Sequence, residues 1–294
     1  MKLPPLWKVK RELWRVKEKA DHLLHRVIID PRRQARYERS RKELINETPG
    51  RQLLSRRVAV LVIFQPKGIA ASTFLTLRHL VLQDWSVVIV ANSSVTDADR
   101  VHLAEHCAMI IERPNVGYDF GAYREGWLWL ERQGHHLDRL ILMNDSTWFP
   151  LRAEDDTLLR MEALNADLAG HIFKSESALD PSRDHVESHL LMFSGSAIRH
   201  PSIRSFWSNY VMSDLRAMTI KQGEKGLTQT ALRAGLKVDA LLGRDRLFAL
   251  LSALPDPELL TVLRNLVFHD AVGRDLQAEL LIASEAGGPW RERL

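Results

Sequence analysis

The 294-residue chain contains one cysteine, Cys107. A lone thiol cannot close an internal disulfide or furnish a Cys-based zinc site, so the composition implies a reducing, cytoplasmic setting. No apolar run reaches the roughly 18 residues of a membrane-spanning helix. The start, Met1 to Trp7, lacks the apolar core of a secretion signal. Neither a Gly-x-Gly-x-x-Gly turn nor a Gly-Lys-Ser/Thr phosphate loop occurs, which argues against a dehydrogenase and against a P-loop NTPase. No Gly-x-Ser-x-Gly elbow marks a serine hydrolase, and there is no internal repeat or low-complexity tract.

What is present is unevenly distributed. Residues 1–57 hold 17 Lys and Arg against 7 Asp and Glu, leaving 24 basic and 30 acidic residues in the rest. A basic arm on an acidic body implies an anionic partner for the arm. Within it, Leu6, Val9, Leu13, Val16 and Ala20 recur at helical spacing, with Trp7 and Trp14 a heptad apart. Two readings stand side by side. The arm lies on an anionic membrane, each nearby Lys or Arg contributing about 1 kcal/mol, or it packs on its own domain or a second chain. Nucleic acid is the weaker anionic partner, because the acidic body repels phosphate and no recognition motif is present. The arm is assigned to residues 1–56.

From Arg57 the pattern becomes alternating strand and helix. Runs at 58–64, 86–92, 107–112 and 139–143 are apolar and β-branched, as in strands buried on both faces. Helical stretches at 69–83, 97–106 and 123–133 separate them. Such units predict an α/β fold with a Rossmann-like, mostly parallel sheet flanked by helices. Further on, 166–173 and 185–193 read as strands, 158–164, 203–218 and 223–232 as helices, and 237–242 as a short strand. The polar stretch 174–184 reads as a loop able to cover a site. The sheet domain is assigned to 57–242 and a helical extension to 243–294.

Open α/β sheets place ligands at the carboxyl ends of their strands. Here the fourth apolar run ends in Asn144-Asp145-Ser146, and a carboxylate there can hold a divalent cation and through it a diphosphate. An Asx turn that merely caps the next loop is the blander reading. Upstream, Asn115-Val-Gly-Tyr-Asp-Phe-Gly-Ala-Tyr123 offers Asn115 and Asp119 as acceptors and Tyr118 as a stacking surface, with Gly117 allowing a tight turn. The blander reading makes Asp119 a helix N-cap. Phe64 closes the first strand where a base would rest. Glu224 and Glu187 are the candidate general bases; for Glu224 the alternative is a first-turn residue stabilised by the helix dipole. His171, His185, His189 and the pair His135 and His136 show no metal spacing and read as core or surface histidines.

On these residues the chain resembles the rhamnan synthesis protein F family of bacterial polysaccharide glycosyltransferases. The resemblance runs from about residue 57 to 242. It rests on the strand ending at Phe64, the Asn115-to-Gly121 block, Leu142-Met-Asn-Asp-Ser146 with Pro150, Ala166-Asp-Leu-Ala-Gly170, His189-Leu-Leu-Met-Phe193 and Glu224-Lys-Gly-Leu-Thr-Gln229. It implies an A-type nucleotide-sugar transferase fold. Transfer would run from a nucleoside-diphospho sugar, dTDP-L-rhamnose in the family's pattern, to a glycan or lipid-linked acceptor. In that reading Asp145 binds Mg²⁺ or Mn²⁺ and braces the diphosphate, and Glu224 activates the acceptor. Phe64, Asn115, Gly117, Tyr118, Asp119, Asn144 and Ser146 meet the donor. Related folds carry two acidic residues in the metal motif, whereas Ser146 and Thr147 follow Asp145 here. The enzyme would sit on the inner face of the membrane; a catalytically inactive sugar- or nucleotide-binding module of an assembly complex is the alternative.

Overall fold

A computed structural model describes residues 6–175, 184–267, 271–287 and 290–293. By contacts the chain divides into two units, Met1–Leu241 and Leu242–Leu294. In the first, helix α1 (Leu6–Leu24) runs through a π-helical turn (His25–Ile29) into α2 (Asp30–Leu44), and β1 (Asn46–Pro49) follows. The alternating section is β2 (Arg57–Ile63), α3 (Ala71–Leu82), β3 (Ser86–Ala91), α4 (Asp97–Ala104), β4 (Met109–Glu112), α5 (Tyr118–Gln133) and β5 (Arg139–Asn144). Then come α6 (Thr157–Ala163), β6 (Leu168–Lys174), β7 (His185–Val186), β8 (Leu190–Ser194), α7 (Gly195–Arg199) and α8 (Pro201–Asn209). The unit closes with α9 (Arg216–Thr219), a π-helical turn (Ile220–Lys225), α10 (Gly226–Arg233) and β9 (Val238–Leu242).

The strands form one sheet in the order β1-β4-β3-β2-β5-β8-β6-β7, with β9 on β6. Its centre, β4-β3-β2-β5, is parallel, as the continuous apolar runs predict. Strand β6 shares that direction, being antiparallel to β8, which is antiparallel to β5; β1 and β7 run the other way. Alternate residues of β2 feed opposite faces: Val58, Val60 and Val62 meet Trp127, Trp207 and Phe193, while Ala59, Leu61 and Ile63 meet Leu77, Leu80 and Trp85. Helix α2 and strand β1 belong to this body. Tyr37 is buried and donates to Glu125 Oε2 at 3.4 Å, Arg41 Nε donates to Glu125 Oε1 at 3.0 Å, and β1 pairs with β4.

Two expected elements break where the fold needs a turn, and a third runs longer than expected. The run 185–193 is two strands, and the residues between them, 187–189, project into the site. The expected helix 203–218 stops at Asn209; in the following segment Met212 N–H donates to Gln34 Oε1 at 3.2 Å, and Asp214 receives bonds from the Gly117 loop. The helix expected to open at Gly223 is instead continuous from Arg216 through the π turn. Most of the expected loop 174–184 lies outside the described residues. The second unit consists of α11 (Arg244–Ala253), α12 (Asp256–Asn265), α13 (Ala271–Glu285) and a 3₁₀ turn (Trp290–Arg293), around Leu259, Leu263 and Trp290.

Candidate functional site

The register aligns the carboxyl ends of the parallel strands: Ile63 pairs with Ala91, Ala91 with Glu112, and Val62 with Asn144. The loops after β2, β4 and β5 therefore meet at one edge. Asn144 ties two of them together. Its Oδ1 accepts from the Ser146 amide at 3.2 Å and the Ser146 hydroxyl at 2.5 Å, which is the Asx turn. Its Nδ2 donates to Asp119 Oδ2 at 2.7 Å. The turn and the cross-loop contact coexist in one side chain.

Asp119 lies in the first turn of α5, but the N-cap position belongs to Gly117, with φ +75°. A Cβ at Gly117 would also lie 2.7 Å from Met212 Cβ, so both backbone and space demand glycine. Tyr118 follows at φ +51°, an unfavourable region for a bulky residue, and its hydroxyl donates to the Asp214 carbonyl at 2.9 Å. Burial pushes the Asp119 carboxyl above the usual carboxylate range; the Asn144 hydrogen bond opposes this and the charges of Asp145 and Glu224 add to it. Asp119 thus feels both of the other carboxylates.

Asp145 is held from both sides. Its amide donates to the Val62 carbonyl at 3.1 Å, and its Oδ2 accepts from the Phe64 amide at 3.0 Å and Gln65 Nε2 at 2.8 Å. Gln65 is a residue that sequence reasoning missed, since nothing but its place after a strand marks it.

Opposite, the 187–189 turn and the α9–α10 segment form the far wall. Glu224 Oε1 accepts from Ser188 Oγ at 2.5 Å, and His185 Nε2 lies 3.5 Å from Oε2. Glu224 is not a first-turn residue, so helix-dipole stabilisation does not account for it. The π turn brings Gly223 flat against Phe120, where a Cβ would lie 2.6 Å from the ring. His185 is buried, as expected of a core histidine, and with the half-buried His189 it also lines this wall. His189 Nε2 lies 3.0 Å from His171 Nδ1, and burial with the neighbouring His171 pushes its pKa down to about 4 against the opposing charge of Glu224. Near neutral pH it is an uncharged hydrogen-bonding ring.

Between the walls lies a cleft of about 940 Å³. Tyr118, Asp119, Asn144, Ser146, Glu187 and Glu224 line it, with the cations Lys174, Arg216 and Lys225. Phe64 and Asp145 line an adjoining cavity of about 340 Å³ that shares Asn144 and Thr147 with the cleft. Asn115 is exposed and lines neither; Gly117 is buried beneath the loop and lines neither. Among the described residues no group of three His, Cys, Asp or Glu could hold a metal ion. Asp145 and Asp119 are oxygen donors suited to a hard cation, and substrate phosphates would have to complete its shell.

Among known proteins, the Sinorhizobium fredii protein y4gN, uncharacterized, is 36% identical over 194 residues, covering 66% of this chain and 50% of that protein. The chain therefore spans about half the length of this relative. The mannosyltransferase PcManGT from Pyrobaculum calidifontis, solved in complex with GDP-Man and Mn²⁺, overlays with a TM-score of 0.36 at 12% identity, over 87% of this chain and 71% of that one. That likeness is too distant to bear on the site. Residues 87–258 match the family model of rhamnan synthesis protein F, more than half of the chain, and the chain belongs to that family.

Proposed function

We propose that the chain is a glycosyltransferase of polysaccharide synthesis, moving a sugar from a nucleoside-diphospho donor to a glycan or lipid-linked acceptor. The observation that supports this most is the single cleft where the Asp119–Asn144 pair, at the strand ends, faces Glu224 on the opposite wall. A donor laid along the strand ends meets Phe64, Tyr118, Asp119, Asn144 and Ser146, with its diphosphate toward Asp145. Glu224 then removes the acceptor hydroxyl proton as the acceptor oxygen attacks the anomeric carbon. The bond to the diphosphate breaks, its electron pair leaves with the phosphate, and one displacement inverts the anomeric centre. A divalent cation, Mg²⁺ or Mn²⁺, held at Asp145 would neutralise charge on the leaving diphosphate. Rhamnose as the sugar and dTDP as the nucleotide are what the resemblance to the family implies, and they are part of this proposal.

Calorimetric titration of the full chain with a panel of nucleoside diphosphates and their sugars tests this. At least one should bind, and Asp145→Ala should lose transfer by about 10²-fold or more, the scale of a lost electrostatic contact to the leaving group. A chain that binds no nucleotide would sink the proposal. Binding with no donor turnover or hydrolysis would leave the inactive binding module.

The arm fits a peripheral membrane role. Among the described residues no helix is long and apolar enough to cross a bilayer. Yet Val16, Ala20, Leu23 and Leu24 share one face of α1 and are exposed, Val16 and Leu23 by 64% and 62%; Trp14 is exposed on another face of the helix, and the basic residues Arg15, Lys17 and Lys19 are exposed around it. The triple substitution Trp14→Ser, Val16→Ser, Leu23→Ser should abolish co-flotation with phosphatidylserine-rich vesicles, and all-phosphatidylcholine vesicles should bind the parent weakly. Undiminished flotation of the triple variant would assign the face to another partner.

A further inference from the structure

Tyr123 carries a hydroxyl into the apolar core. The residue is fully buried on α5 within the cluster that covers one face of the sheet, and Phe120 meets its ring edge-on with centroids 5.8 Å apart. A phenylalanine would fill the same space with no oxygen to satisfy, so the hydroxyl needs a partner. It finds one in the Ser188 carbonyl, to which it donates at 2.8 Å, its single hydrogen bond among the described residues. Burial, and after it the charges of Asp119, Glu224 and Asp145, push the Tyr123 pKa well up, so the oxygen keeps its proton and stays a donor.

Ser188 is the middle of the 187–189 turn, whose other bonds reach both walls of the cleft. The Glu187 amide donates to the Ile172 carbonyl at 2.9 Å, and the Asn144 amide to the His189 carbonyl at 3.3 Å. The Ser188 hydroxyl donates to Glu224 Oε1 at 2.5 Å. Tyr123 itself stands about one helical turn after Asp119 on α5. One helix therefore carries both the carboxylate on the strand-end side and the hydroxyl that holds the turn against Glu224. We infer that Tyr123 is a positioning residue: acting through Ser188, it sets the reach of Glu224 across the cleft from the Asp119–Asn144 pair. Its effect on turnover rests on the transferase reading, with Glu224 as the base. Its hold on the turn does not.

Tyr123→Phe removes the oxygen alone. It should lower kcat for transfer by about tenfold, the scale of one buried hydrogen bond, and leave KM for the donor nearly unchanged. Ser188→Ala should lower kcat by about 10–100-fold, as befits a bond to a charged group, and Ser188→Thr, which keeps a hydroxyl, should recover part of it. Because the two residues act in series, Tyr123→Phe/Ser188→Ala should match Ser188→Ala alone to within about twofold. Hydrogen–deuterium exchange of residues 185–193 should quicken in Tyr123→Phe, with residues 58–63 at the sheet centre unchanged. Parent-like exchange at 185–193 would overturn the inference, whether or not transfer is detected. So would effects that multiply in the double variant, or a parent-like kcat in Tyr123→Phe beside an inactive Glu224→Gln. If Glu224→Gln turned over like the parent while exchange quickened, the base assignment would fall and the hold of Tyr123 on the turn would stand.

Discussion

Glu224→Gln should lower turnover by about 10²–10⁴-fold while nucleotide affinity stays the same, the range expected when a positioned general base is lost. Glutamine keeps the shape and can still accept from Ser188, but it cannot take a proton. The side chain is well placed for the task. Ser188 holds one oxygen at 2.5 Å, and the other, with His185 at 3.5 Å, belongs to a carboxylate that lines the cleft. A purely structural carboxylate would behave differently, with KM and folding changing and kcat nearly preserved. Glu224→Asp should restore part of the activity by keeping a base within a slightly longer reach. Gln and parent enzymes of similar kcat would remove Glu224 from the chemistry. The measurement is steady-state transfer from whichever donor the titration identifies, with kcat and KM separated.

Trp207→Ala should destabilise the first unit by about 3–5 kcal/mol, the usual cost of deleting a buried aromatic. Trp207 is fully buried on α8 and stacks between Phe120, with ring centroids 5.9 Å apart, and Trp127, at 5.5 Å. Phe206 meets it edge-on at 5.0 Å. Little can collapse into the space, because these neighbours are large and most are fixed against the sheet. The damage should also reach the cleft, since Phe120 follows Asp119 and its ring is the surface on which Gly223 rests. Urea unfolding followed by tryptophan fluorescence and circular dichroism reads the loss. A cost below about 1 kcal/mol would mean that the aromatic stack is not the core it resembles.

How much of this is visible in the residues depends on the range of the interactions. The parallel centre is legible because β2, β3 and β5 are buried on both faces, and only continuous apolar runs satisfy that. The loops after those strands are legible for a related reason: Asn144, Asp145 and Asp119 are polar where a core would not need them. The far wall is not. Ser188 and His189 sit in a run whose apolarity reads as one strand, and the break appears only once β6 pairs separately with β7 and β8. Residues 210–215 read as helix because Tyr210 and Met218 keep the apolar spacing, while the competing bonds from Gln34 and the Gly117 loop come from far along the chain. The π turn at 220–225 has no local signature at all. It is fixed by the fit of Gly223 to a ring about a hundred residues away in sequence.

One carboxylate joins the N-terminal helices to the Gly117–Tyr118 side of the cleft. Arg33 pairs with Asp214 Oδ2 at 2.7 Å, Asp214 Oδ1 accepts from the Gly117 amide at 3.2 Å, and its carbonyl accepts from the Tyr118 hydroxyl. The left-handed backbone at Gly117 and Tyr118 is thereby fastened to a rod that runs without interruption into the exposed apolar stripe. On the peripheral role proposed for that stripe, attachment and the order of the Gly117–Tyr118 loop would share a single fastening, so their energies would not be additive.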